Sequence, residues 1–212
     1  MSSGYGDLDH VETFNLNFTS IKTTVTCKRD VVDDHISAFL RSQSGFYNKT
    51  KVFGFDTKWL VYNPGASAIS SKCAALHLFY GNACLIILLS RFEIVPQSLV
   101  NFLRHPNFTF VGFGINDNVA KLEKNYGFGC KNAVELGPLA ATVMKRPRLS
   151  YFGVDELLLA VNGIDLANQR PLSFAFVWDK YEDRKELAKI ATISVYSYHM
   201  IGTKLLAQDW RL

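Results

Sequence analysis

The residues best suited to chemistry begin in Lys51–Trp59, KVFGFDTKW. Val52, Phe53 and Phe55 make a short run of strand-forming residues, interrupted by Gly54 and ending on Asp56. A lone carboxylate at the end of a buried central strand is a candidate metal ligand. Side chains at i and i+2 share one face of a strand, so an Asp-x-Glu pair there could hold a cation between two carboxylates. The second position here is Lys58. An acid and an ammonium on one face of a strand can pair with each other. Without wider context, Asp56 reads simply as a strand-end residue capping neighbouring backbone.

A second candidate is the basic segment Lys145-Arg146-Pro147-Arg148 with Tyr151-Phe152 beside it. Such a segment can contact a phosphate backbone and stack aromatic rings on bases, and it reads equally well as a solvated loop. His77 and His199 fall among apolar and aromatic residues and read as structural. Cys27, Cys73, Cys84 and Cys130 are scattered without metal-ligand spacing, which predicts reduced thiols rather than a zinc site. The composition, 48% hydrophobic and 20% charged over 212 residues, is that of one globular unit with a sizeable core. A net charge of +4 is compatible with a nucleic-acid partner without requiring one. Met1–Asp9 does not resemble a targeting peptide, and the apolar run Ala83–Leu89 is too short to cross a bilayer. These features predict a cytosolic or nuclear protein with no membrane association.

The elements that must position these residues follow from periodicity. Residues 11–27 alternate and predict an antiparallel hairpin turning at Thr19-Ser20. Asp30 precedes a helical pattern through Val31, Val32, Ile36, Phe39 and Leu40, stopping near Ser44-Gly45. The Asp56 strand is followed by an Asn63-Pro64-Gly65 turn and by strands Ala74–Tyr80 and Ala83–Leu89, joined at Gly81-Asn82. Pro96 opens a helix with Leu99, Val100, Phe102 and Leu103, and Phe108–Phe113 is a further buried strand. Asn116 or Asp117 is expected to cap a helix ending at Tyr126-Gly127. Val134–Leu136 predicts a short strand, and Pro138–Met144 and Gly153–Val161 predict helices. Arg170–Trp178 reads as irregular. A long last helix is expected from about Tyr181 to Leu206, with Asp183 and Glu186 near its start and Lys204 near its end, as the helix dipole favours. The division expected is a hairpin, 1–28, packed on a single domain, 29–212.

This order, over roughly residues 50–205, resembles that of the DnaQ-like 3′–5′ exonucleases. GFDTKW resembles the family's first motif, usually GFDTEW, and AALHLFYGNACLIILL resembles the hairpin after it. FVGFGINDNVAKLEKNYG is similar to the second motif, VGxGIxxDxxKLxxxYG. VDELLLAVNG and the Trp178 segment match what precedes the last motif, and ATISVYSYHMIG resembles the third motif helix, usually YAxxDAYxxxxIG. The likeness is greatest to the Werner-syndrome-type exonuclease subfamily, especially its small stand-alone plant members. It implies an α/β, ribonuclease H-like fold: a mixed five- to six-stranded sheet with flanking helices and a long C-terminal helix. It also implies an activity in which four acids hold two divalent metals that activate water for phosphodiester cleavage, while a tyrosine orients the water.

Position by position, the motif departs from the family. Asp56 matches the first acid, and Lys58 stands at the second. Asn118 falls where the second motif has its acid, with Asp117 adjacent as a substitute ligand should the helix start shift. Ser194 falls at the acid of the last helix and Ile190 at the tyrosine. Replacing carboxylates with neutral groups and an ammonium removes the hard oxygen ligands that Mg²⁺ requires. Three readings result. The first is a nucleic-acid-binding protein with a degenerate metal site, weak or inactive as an enzyme, with no tightly bound cofactor and at best weak metal at Asp56. Next is a working Mg²⁺- or Mn²⁺-dependent exonuclease on single-stranded RNA or DNA ends, and last an oligomeric scaffold. Function belongs to the site rather than the fold, which favours the first. Lys145, Arg146 and Arg148 are the candidate nucleic-acid contacts. The resemblance further implies a homo-oligomer, with a hexameric ring known among the plant members.

Overall fold

The computed structural model describes residues 9–42, 50–62, 70–171 and 184–208. The expected turn at Asn63-Pro64-Gly65, the stop at Ser44-Gly45, the Trp178 segment and the helix start at Tyr181 and Asp183 lie outside the described residues. Seven strands form one mixed sheet: β1 His10–Leu16, β2 Thr19–Thr26, β3 Lys51–Tyr62, β4 Ser70–Tyr80, β5 Ala83–Ile87, β6 Phe108–Gly112 and β7 Ala133–Glu135. Their spatial order is β1-β2-β5-β4-β3-β6-β7, with β3 antiparallel to β4 and parallel to β6. The sheet exceeds the expected five to six strands because β2 runs parallel to β5 along its edge, so the N-terminal hairpin extends the sheet.

Six helices cover the sheet: α1 Arg29–Arg41, α2 Gln97–Leu103, α3 Ile115–Tyr126, α4 Leu136–Val143, α5 Val154–Asn162 and α6 Arg184–Gln208. The strand alternation sorts side chains to two cores. Phe53 and Phe55 of β3 join Ile36, Phe39, Phe102, Phe110 and Leu122 under α1, α2 and α3. Val52 joins Ile21, Phe79, Leu157, Leu158, Val195 and Ile201 under α5 and α6. Phe53 sits in an aromatic cluster, with ring centroids 4.7 Å from Tyr80 and 4.9 Å from Phe102. The four cysteines are free thiols. No helix among the described residues is long and apolar enough to cross a membrane.

Two local expectations are corrected. The β1–β2 turn is Asn17-Phe18, with φ of 45° and 64°, while Thr19 pairs with Leu16 and Ser20 with Asn15. A two-residue turn with both φ values positive matches the twist of a hairpin, and Asn tolerates that conformation well. Phe18 is fully exposed at its tip. The start of α3 also differs: Gly114, left-handed at φ 60°, precedes Ile115, so Asn116 and Asp117 lie inside the first turn. The opening amides find an acceptor elsewhere. Glu135, at the end of β7, accepts Gly114 N–H at 2.8 Å and Ile115 N–H at 3.0 Å.

Helix α6 packs backbone to backbone on β3. A Cβ at Gly54 would lie 1.9 Å from the Val195 carbonyl oxygen, so the helix backbone rests on the strand backbone and no side chain fits between them. Backbone cannot swing aside as a side chain can. Gly54→Ala is therefore expected to destabilise the protein by about 3 kcal/mol or more, or to prevent folding. Urea denaturation measures this, and a loss under about 1 kcal/mol would show that α6 can sit farther from β3.

Candidate functional site

Asp56 lies on β3 one alternation beyond Gly54, which turns its side chain toward α6. It is 4% exposed. Its Oδ1 accepts the Thr57 N–H at 2.9 Å, and its Oδ2 is 2.8 Å from Lys58 Nζ. The Lys58 side chain is 42% exposed, so a buried carboxylate holds an ammonium that still faces solvent. The register of β3 against β4 slips between Lys58 and Trp59. Such an irregularity bends a strand and re-aims the side chains beside it.

His77 pairs across the sheet with Asp56, and its Nδ1 is 4.0 Å from Asp56 Oδ2. Complete burial pushes its imidazole well below the ordinary histidine value, and the nearby Lys58 charge adds to this. His77 is thus neutral near pH 7. His199 is lowered by burial too, partly offset by its 2.9 Å bond to the Val52 carbonyl.

The α6 side of the site is built around Ser194. Its hydroxyl donates to the Ile190 carbonyl at 3.0 Å and accepts from Arg170 Nη1 at 3.0 Å. Arg170 Nε lies 3.0 Å and 2.8 Å from the two carboxylate oxygens of Asp155, in the first turn of α5. One guanidinium therefore ties α5 to α6. Tyr198 stands one turn beyond Ser194 and is buried, with its ring centroid 5.5 Å from Phe113. Burial pushes its hydroxyl far above the usual tyrosine value and the Asp56 charge adds to it, while Arg170 and contact with Ser194 pull the other way and Glu135 raises it slightly.

The remaining residues singled out in the sequence are dispersed around this centre. Asn118 is half-buried in the first turn of α3, with its backbone N–H on the Gly114 carbonyl at 3.1 Å; Asp117 is exposed. Ile190 is half-buried, one turn before Ser194. Lys145, Arg146 and Arg148 are exposed between α4 and α5, where Lys145 has φ 54° and Tyr151 is 89% exposed. Arg170 also lines an open groove of about 430 Å³, with Lys185, Glu186 and Lys189 of α6 along it. Among the described residues no group of three His, Cys, Asp or Glu side chains is arranged to hold an ion. Asp155, Arg170, Glu135 and Tyr198 were not legible as site residues. Only Tyr198 carries a local signal, its spacing of one turn from Ser194 on the same helix.

A sheet ordered around β3, crossed by a long helix whose backbone rests on that strand, has the fold of a DnaQ-like 3′–5′ exonuclease domain of the ribonuclease H-like type. Comparison with known proteins agrees. The chain is 27% identical over 151 residues to the RISC-interacting clearing 3′–5′ exoribonuclease 1 of Arabidopsis thaliana, covering 70% of this chain and 74% of that protein. The Nibbler EXO domain of Aedes aegypti superposes over 94% of this chain and 93% of its own, with a TM-score of 0.66 at 14% identity. Escherichia coli RNase D superposes over 88% of this chain with a TM-score of 0.64 at 14% identity, and the chain spans 45% of its length. No protein-family model matches the chain.

The buried histidines make stability depend on pH. In the unfolded chain they protonate near the ordinary value of about 6.5, whereas the folded protein resists protonation, so stability is full above that pH and declines as pH falls below it. His77→Gln is expected to flatten the decline measured by urea denaturation between about pH 7.5 and pH 5. A slope unchanged by the substitution would show that His77 does not contribute.

Proposed function

We propose that this chain is a nucleic-acid-binding protein of the 3′–5′ exonuclease family whose hydrolytic centre is degenerate, leaving it weak or inactive as an enzyme. The observation that carries this is the 2.8 Å ion pair between Lys58 and Asp56. Divalent metals of the kind the resemblance implies do not fit this donor set. The Asp56 carboxylate is engaged by an ammonium, Asp155 by Arg170, and Glu135 by the amides that open α3. A Mg²⁺ ion needs several hard oxygens at close range, and placing one beside Asp56 would set it against the Lys58 charge. Ser194 is committed to Arg170 and to its own helix, and Asn118 supplies no charge.

Single-stranded RNA or DNA is the partner this reading requires, and the exoribonuclease name of the Arabidopsis relative makes RNA the first probe. The exposed Lys145, Arg146 and Arg148 beside Tyr151, and the groove carrying Arg170, Lys185 and Lys189, are the surfaces that support it. A cytosolic or nuclear location and assembly into a homo-oligomer belong to the same proposal, the latter on the resemblance to ring-forming plant members. The similarity to an exoribonuclease over 70% of the chain favours one other reading, an active metal-dependent 3′–5′ exonuclease.

Degradation of a 3′-accessible single-stranded RNA with Mg²⁺ or Mn²⁺ separates the two. The natural protein is expected to leave the strand intact, and a Lys58→Glu, Asn118→Asp, Ser194→Asp variant is expected to gain slight activity. Metal-dependent shortening by the natural protein, abolished in Asp56→Ala, would establish the active enzyme instead.

A further inference from the structure

Asp56, Asp155 and Glu135 each have a partner without any added ion. Asp56 is matched by Lys58 at 2.8 Å, Asp155 by Arg170 through both carboxylate oxygens, and Glu135 faces the amides of a helix N-terminus. A centre made of four bare carboxylates would repel a phosphodiester until cations neutralised it. This one has its cations covalently attached. The environment of Lys58 is equally informative. An ammonium has three donors. One is directed to Asp56, and the side chain is 42% exposed, so solvent reaches the lysine while a buried acid fixes the direction of its ammonium. Behind this pair stands His77, fully buried and neutral, adding no competing charge near pH 7. Arg170 holds Ser194 of α6 and also lines the groove that carries Lys185, Glu186 and Lys189.

From this arrangement we infer that the centre takes a backbone phosphate of single-stranded nucleic acid without a divalent metal, with the Lys58 ammonium as the phosphate contact and Asp56 as its positioning residue. The inference rests on the nucleic-acid-binding reading above and names how that site holds its ligand. The bond is a charge-assisted N–H···O from Lys58 to a non-bridging phosphate oxygen, and no covalent step is involved. Metal and Lys58 would compete for the same carboxylate, so the prediction is a reversal: replacing the lysine by an acid makes binding depend on metal.

The test is fluorescence anisotropy of a fluorescein-labelled single-stranded oligoribonucleotide at fixed ionic strength, in Mg²⁺ and in EDTA. The natural protein should bind with the same Kd in both, within about twofold, and Lys58→Gln should weaken binding about fivefold and lower the salt slope by about one. Lys58→Arg, which keeps the charge, should bind like the natural protein. Lys58→Glu should bind still more weakly in EDTA and recover in part with Mn²⁺. Because Lys58→Gln leaves Asp56 buried without its partner, the Asp56→Asn/Lys58→Gln variant repeats the measurement with the pair removed together. Circular dichroism and thermal melting confirm that each variant folds. Binding lost in EDTA would overturn the inference. So would an unchanged Kd and salt slope in both Lys58→Gln variants, which would leave binding to other surfaces such as Lys145–Arg148 and leave the wider reading standing. Absence of RNA binding in every condition would remove the wider reading and this inference with it.

Discussion

The contact of α6 with β3 at Gly54 governs much of what surrounds it. Because a Cβ there would meet the Val195 carbonyl, the helix rests directly on the central strand, and residues next to Val195 are drawn close to residues next to Gly54. Asp56 is one alternation along the strand from Gly54, Ser194 precedes Val195, and Tyr198 follows one turn later. Backbone contact thus gathers two distant parts of the chain into one centre. The same helix meets the sheet again at Gly202, where a Cβ would lie 2.7 Å from a methyl of Val111 on β6. A helix seated at two points on two strands leaves its intervening side chains little freedom of placement.

Within that frame, charges are satisfied pairwise. A carboxylate that is 5% exposed is costly to leave alone, and the Lys58 ammonium offsets that cost at 2.8 Å. Arg170 does for Asp155 what Lys58 does for Asp56, and its remaining reach secures Ser194. The planar guanidinium suits this double task, since its donors spread in a fixed fork. The neutral state of His77 follows from the same economy of charge: an imidazolium there would be fully buried and would face the Lys58 ammonium.

Much of the fold is legible in local pattern. The apolar runs of β3, β4 and β6, the Gly81-Asn82 turn between β4 and β5 and the periodic faces of α3 and α5 are all short-range signals. Two features depart from local pattern. The β1–β2 turn falls at Asn17-Phe18 rather than Thr19-Ser20, because an exposed phenylalanine is a poor turn signal although the twist of the paired strands favours that position. The acceptor at the start of α3 is Glu135, twenty-one residues from Gly114, rather than Asn116 or Asp117. The α3 start depends on a residue brought near by the fold, which a window of neighbouring residues does not contain, whereas the hairpin turn is local and only its residue types conceal it.

Sequence alone determined that Asp56 and Lys58 share a strand face, because alternation along an extended backbone is a local geometric property. It also determined the order of most of the elements, from the pattern of their apolar residues. Tertiary structure decided which groups each of these meets. Arg170 and Asp155 are fifteen residues apart, and Arg170 and Ser194 twenty-four; nothing in either spacing specifies an ion pair or a hydrogen bond. Those contacts exist because α5 packs against α6, and α6 is seated on β3 by a glycine of that strand.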